Sequence, residues 1–127
     1  MMPGCVFCAL PAEPIIAANA RAFAVRDIAP AAPLHTLVLP RRHVADYFEL
    51  DAEEREAIAE LLDDCRRDIL THDPGVAGFN IAVNIGAAAG QTVLHCHVHL
   101  VPRRIGDGEA LIVSGPHKRL LARLPSD

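Results

Sequence analysis

Hydrophobic residues in the first third of the chain fall into short runs cut by Pro11, Pro14, Pro30, Pro33 and Pro40, which favours extended pieces over helices. Ile15 to Ala18 and Ala22 to Ile28 read as two strands joined by a turn at Asn19 and Ala20. Leu34 to Leu39 reads as a third, ended by Pro40 and the basic pair Arg41-Arg42. The period then changes. Ile58, Leu61, Leu62, Cys65 and Ile69 recur at helical spacing, while Glu53, Glu56, Glu60, Asp64 and Arg67 lie off that stripe. Asp51 is placed to cap this helix, with Glu54 completing a capping box, and Asp73-Pro74-Gly75 should end it near His72. Phe79 to Ile85 and Thr92 to Val101 read as a fourth and fifth strand around the small-residue loop Gly86 to Gly90. One or two helical turns are expected around Leu120 and Leu124. The fold class is therefore α+β: a five-stranded antiparallel sheet with one long helix and short terminal elements.

At 127 residues the chain is expected to form a single domain, 1–127. It is 51% hydrophobic but has no Trp, so its core must be built from Ala, Val, Leu and Ile. A formal net charge of -4 argues against bulk nucleic-acid binding, which rests on a positive field, yet leaves room for a small anionic ligand in a local pocket. No apolar run approaches the roughly 20 residues needed to span a membrane. Met1 to Leu10 lacks the basic and apolar regions of a secretory signal, so a cytoplasmic location is expected. There Cys5-Val6-Phe7-Cys8 reads first as metal or redox chemistry and a disulfide is disfavoured, while Cys65 and Cys96 sit inside the helix and strand patterns as buried, inert thiols.

The sharpest chemical signal is His95-Cys96-His97-Val98-His99-Leu100-Val101-Pro102. Strand residues alternate faces, so the three histidines share one side while Cys96, Val98 and Leu100 take the core side. A solvated row and a metal-binding row are the bland alternatives. Nucleophilic chemistry fits better: imidazole attacks phosphorus, and the cationic phosphoimidazole is readily displaced by water. Asn84-Ile85-Gly86-Ala87-Ala88-Ala89-Gly90-Gln91-Thr92, just upstream, supplies amides, a hydroxyl and exposed glycine backbone able to grip phosphate oxygens.

The run Gly90-Gln91-Thr92-Val93-Leu94-His95-Cys96-His97-Val98-His99 closely resembles the signature of the histidine triad family. The stretch from Asp27 through His35 to His43 and Val44 is similar to that family's upstream signature, and Cys5-Val6-Phe7-Cys8 resembles its bacterial, zinc-binding members. The resemblance covers about residues 4 to 107 and leaves 108–127 as a divergent tail.

The resemblance implies that His97 is the nucleophile, transiently nucleotidylated, with His99 on the phosphate and His35 as a further active-site histidine. It places Asp27 on the ribose hydroxyls, Phe7, Leu10, Val25 and Ile28 around the base, and Asn84, Gly90, Gln91, Thr92 and Val93 on the phosphate side. Taken singly, the apolar residues read as core, Asp27 as a turn initiator and His35 as a core histidine. Cys5, Cys8, His43 and His95 would form a closed, structural zinc site, taking His95 out of proton transfer. The expected activity is hydrolysis or nucleotidyl transfer at the α-phosphate of a purine nucleotide conjugate: a dinucleoside polyphosphate, a phosphoramidate or an acyl-adenylate. A nucleotide-binding signalling protein with incidental turnover is the alternative, and a histidine-based metallohydrolase a third reading. Two features bear on the subclass in opposite senses: Leu34 stands where many members carry glycine, and Val101-Pro102-Arg103-Arg104 looks like the dinucleotide-hydrolase branch. Arg103 and Arg104 meet either a distal phosphate or a solvated turn. His72 and His117 read as surface residues. The helix, with Ala57 and Ala59, suits packing against a second copy, so a homodimer is expected.

Overall fold

The computed structural model describes residues 4–11 and 14–108. The expected helical turns around Leu120 and Leu124, and His117, lie outside the described residues. Five strands and one long helix follow in the order β1 (Ile15–Ala18), β2 (Ala22–Arg26), β3 (Thr36–Pro40), α1 (Ala52–His72), β4 (Val76–Ala82) and β5 (Val98–Arg104). The strands form one antiparallel sheet, as expected, in the order β1-β2-β3-β5-β4. Short 3-10 turns at Tyr47–Glu49 and Ala87–Ala89 complete it.

Strand alternation splits the core in two. Ala22, Ala24, Val38, Cys96, Val98 and Leu100 point to the helix side, where Ala57, Ile58, Leu61, Cys65 and Ile69 of α1 cover them. Phe23, Val25, Leu37 and Leu39 point the other way and carry Phe7, Leu10 and Ile15 on top. Small residues on one face admit the helix, and large ones on the other build a second apolar layer that, among the described residues, the N-terminal segment shields. That second layer is where the site forms.

Asp51 caps α1 as expected, with its carboxylate accepting from Glu54 N and Glu54 accepting from Asp51 N. The Arg42 guanidinium donates to both Glu54 oxygens, at 3.0 and 2.7 Å. Glu54 is buried, and the Arg42 hydrogen bonds hold its carboxyl below its usual range against the opposing effect of burial. A carboxyl whose folded-state pKa is lowered contributes stability above its unfolded value and loses it as pH falls through the folded one. Urea midpoints are therefore expected to fall below about pH 4, and more shallowly in Glu54→Gln.

Several strand ends move. β5 starts at Val98 rather than Thr92, β4 covers Val76–Ala82 rather than Phe79 to Ile85, and β2 ends at Arg26 rather than Ile28. β3 pairs β5 only from Val38↔Val98 to Thr36↔Leu100; two residues further lies Pro40, which has no N–H to give. Cys96 N donates to Val44 O instead, at 2.7 Å. β4 then loses its partner beyond Ala82↔His99. Beyond Arg26 the chain turns, with Ala29 N donating to the Asp27 carboxylate.

Leu34 has a φ of 68°, in the left-handed region that favours glycine. Its side chain packs against the helix-side core, and its carbonyl accepts from Thr36 Oγ1. A β-branched residue tolerates this backbone worst. Leu34→Ile is expected to lose about 2 kcal/mol, and Leu34→Gly to be at least as stable as Leu34→Ile despite lacking a side chain; chemical denaturation compares them.

Candidate active site and metal centre

Residues 92–97 are not a strand, and the alternation holds only from Cys96 onward: Cys96, Val98 and Leu100 enter the helix-side core while His97 and His99 line the opposite face, whereas Leu94 is exposed. Their rings lie 5.0 Å apart. They open onto a cavity of about 370 Å³, whose apolar wall includes Val6, Phe7, Leu10, Pro14, Val25 and Leu37. Its polar edge carries Asp27 and the loop residues Gly90, Thr92 and Val93.

Hydrogen bonds assign the ring protons. His97 Nδ1 lies 2.8 Å from the His95 carbonyl, which only accepts, so the proton is on Nδ1 and the lone pair on Nε2. Ala31 N donates to His35 Nδ1 at 3.0 Å, placing the His35 proton on Nε2. That Nε2 lies 2.9 Å from His99 Nδ1 and 3.5 Å from Asp27 Oδ2. His35 thus donates to His99, whose own proton stands on Nε2. The chain from Ala31 through His35 to His99 is directional, and His35 is buried behind His99 rather than in the cavity wall.

His95 is fully buried and turned to other work. Its Nε2 donates to the Pro40 carbonyl at 2.8 Å, so Nδ1 carries a lone pair. That Nδ1 lies 3.6 Å from both the Cys5 and the Cys8 sulfur, and His43 Nδ1 lies 3.3 Å from Cys8 Sγ. The four donors all lie within 4.8 Å of one another. Bond lengths of ~2.3 Å to sulfur and ~2.05 Å to nitrogen put adjacent ligands of a tetrahedral zinc about 3.5 Å apart, so the spacing fits a metal ion. Burial shifts the His95 imidazole toward its neutral form, the form that ligates. The carbonyl partner on the far nitrogen fixes the ring for it.

Among the other sequence candidates, Phe7, Leu10 and Val25 serve both as second-layer core and as cavity wall. Asp27 both initiates a turn and borders the cavity. Ile28 lines the cavity from a fully exposed position, as a rim rather than a slot residue. Asn84 and Gln91 are not in the cavity lining. Gln91 accepts from Gly86 N and donates to the Ala45 and Val93 carbonyls, so it holds the loop together. Gly86 and Gly90 give that loop its positive φ angles of 87° and 91°. Arg103 and Arg104 are tied to Asn80, Gly108, Asp73 and Pro33, away from the cavity. His72 is an exposed residue of the last helical turn. Cys65 and Cys96 are buried, and burial pushes the Cys96 thiol up to about 11.

The sequence reading did not name Val6, Pro14 and Leu37 as wall residues. The alternation of β3 foreshadows Leu37, which shares a face with Leu39. Val6 and Pro14 carry no sequence signal, because they reach the cavity through the path of an irregular segment.

The HIT domain family model matches residues 12–106. An uncharacterized HIT-like protein of Mycoplasma genitalium is 36% identical over 123 residues, covering 92% of this chain and 86% of the relative. A Zn-bound histidine triad family protein from Mycobacterium smegmatis superposes with a TM-score of 0.75 at 35% identity, covering 95% of this chain and 89% of that one. Plasmodium falciparum diadenosine triphosphate hydrolase superposes with a TM-score of 0.68 at 30% identity, over 77% of this chain and 66% of that one. Fold, histidine arrangement and family model agree, and this chain belongs to the HIT domain family.

Proposed function

We propose that this protein hydrolyses, or transfers the nucleotidyl group of, a purine nucleotide conjugate at its α-phosphate, through a nucleotidyl-histidine formed on His97. One observation carries this reading: the His95 carbonyl accepts a hydrogen bond from His97 Nδ1–H, leaving the lone pair on Nε2 of a ring that lines the cavity beside His99. The base lies against Phe7, Leu10 and Val25, with Ile28 at the rim, and the ribose hydroxyls donate to Asp27. Gly90, Thr92 and Val93 lie beside the phosphate, on a loop held by Gln91.

His97 Nε2 attacks the α-phosphorus, a P–N bond forms, and the bond to the leaving group breaks as that group takes up a proton from solvent, which the attacking water of the second step returns. The imidazolium so formed keeps its Nδ1–H on the His95 carbonyl, which stabilises the new positive charge. His99 Nε2–H is set by His35 to donate to a non-bridging phosphate oxygen, where charge builds in the transition state. Water then attacks phosphorus, the P–N bond breaks and His97 is regenerated. Zinc would be held by Cys5, Cys8, His43 and His95, as a structural ion apart from the reacting atoms. The thiols of Cys5 and Cys8 suit a reducing compartment such as the cytoplasm.

The homodimer reading shifts its ground. Ile58, Leu61, Cys65 and Ile69, with Ala57, cover the protein's own sheet. Exposed Ile81 on the edge strand β4 and exposed Phe48 are among the described apolar residues open to a second copy. A monomeric mass in solution removes this part.

The test is incubation with adenosine phosphoramidate or diadenosine polyphosphate, followed by rapid acid-free denaturation and mass analysis. An adduct of one nucleotidyl group on His97 is expected. Tight nucleotide binding with neither adduct nor turnover favours the signalling reading instead. Turnover abolished by chelators in protein that remains folded favours the metallohydrolase.

A further inference from the structure

The two sites share a wall. Val6 and Phe7 lie between the cysteines of the metal centre, and both line the nucleotide cavity. The Phe7 ring meets His95, a metal-centre residue, at 5.9 Å edge-on, and His97 at 5.1 Å. On the far side of the centre lies a second hollow of about 360 Å³, bordered by Gly4, Cys5, Val6, His43, Thr92, Val93 and Leu94. Val6, Thr92 and Val93 border both hollows. The second hollow also gives an ion a route to Cys5 and His43 from outside.

Residues 4–11 belong to no strand or helix. What positions them is the packing of partly buried Phe7 and Leu10 on the second core layer, and the polar contacts of Cys5 and Cys8. Val6 stays mostly exposed. A wall held this lightly must be ordered when a base binds against it, and that ordering subtracts from affinity. An ion that joins Cys5 and Cys8 to His43 and His95 orders it beforehand.

We propose that occupancy of the Cys5, Cys8, His43 and His95 centre tightens nucleotide binding in the neighbouring cavity, with Phe7 as the residue that transmits the coupling. The inference rests on the nucleotide reading above and adds regulation to it: metal supply sets the affinity of the site without the ion touching substrate. Linkage makes the effect reciprocal, so bound nucleotide must raise metal affinity by the same factor.

The probes are AMP and Zn²⁺ on the full chain. Calorimetric titration of AMP into zinc-loaded and chelator-stripped protein is expected to show about tenfold weaker binding after stripping. Competition with a chromophoric chelator should show zinc held about tenfold more tightly at saturating AMP. In Phe7→Ala, at AMP concentrations that saturate the variant, the zinc shift is expected to vanish. An equal shift in wild type and Phe7→Ala overturns the proposal, because AMP then acts on zinc through global folding stability; this comparison holds even where stripped protein unfolds. Equal AMP affinity in loaded and stripped protein overturns it as well, leaving the nucleotide reading intact. Failure of AMP to bind the zinc-loaded protein overturns the nucleotide reading itself, and the coupling with it.

Discussion

His97→Ala is expected to lower turnover of adenosine phosphoramidate and diadenosine polyphosphates by about 10⁴-fold or more, with nucleotide still bound. The expectation follows from what the side chain touches. His97 Nδ1 makes its hydrogen bond to the backbone carbonyl of His95, and the ring rests edge-on against Phe7 and His99. Removing it leaves the fold's two core layers in place, since neither cluster includes it. It does remove the one imidazole at the cavity whose Nε2 holds a lone pair, since His99 carries its proton on Nε2. Steady-state rates beside equilibrium AMP binding separate the effects: kcat collapses while the dissociation constant changes by a small factor. A variant that keeps full turnover ends the mechanism.

Loss of the metal is expected to be the largest stability effect. Cys8 Sγ approaches both His43 and His95, so Cys8→Ser removes the donor that links the two imidazoles. An ion that binds only the folded chain stabilises it by about 4 kcal/mol at a thousand times its dissociation constant. For a domain of this size that is on the order of 10 °C in the melting midpoint. Wild-type protein with zinc should therefore melt about that much higher than with excess chelator, and Cys8→Ser should melt at one temperature in both. Metal analysis is expected to fall from one zinc per chain to near zero. A wild-type midpoint indifferent to chelator would show that the centre contributes no folding energy.

Much of the architecture was legible because it follows from local periodicity. The stripe from Ile58 to Ile69 and the Asp51–Glu54 box are properties of one helix, and they form as read. The alternation in β2 and β3 likewise sends Ala22, Ala24 and Val38 one way and Phe23, Leu37 and Leu39 the other. Strand ends were not legible, because a strand lasts only as long as its partner: Pro40 in β3 sets where β5 begins, and β5 sets where β4 stops.

The same division runs through the site. Spacing alone put His97 and His99 on a common face, because alternation of an extended chain is a property of each residue and its neighbour. No spacing along the chain could tell that His95 would turn its lone pair to the cysteines while His97 turned its own to the cavity. That choice is made by two carbonyl oxygens, Pro40 and His95, each accepting a hydrogen bond from the N–H of one ring nitrogen and leaving the lone pair on the other. Nor could sequence place Gln91 inside its loop, or set Val6, Thr92 and Val93 between two hollows, since those roles depend on segments brought together across the sheet. Residue order settled which imidazoles are present and which side of the chain they share; hydrogen-bond partners supplied from elsewhere in the fold settled what each one is able to do.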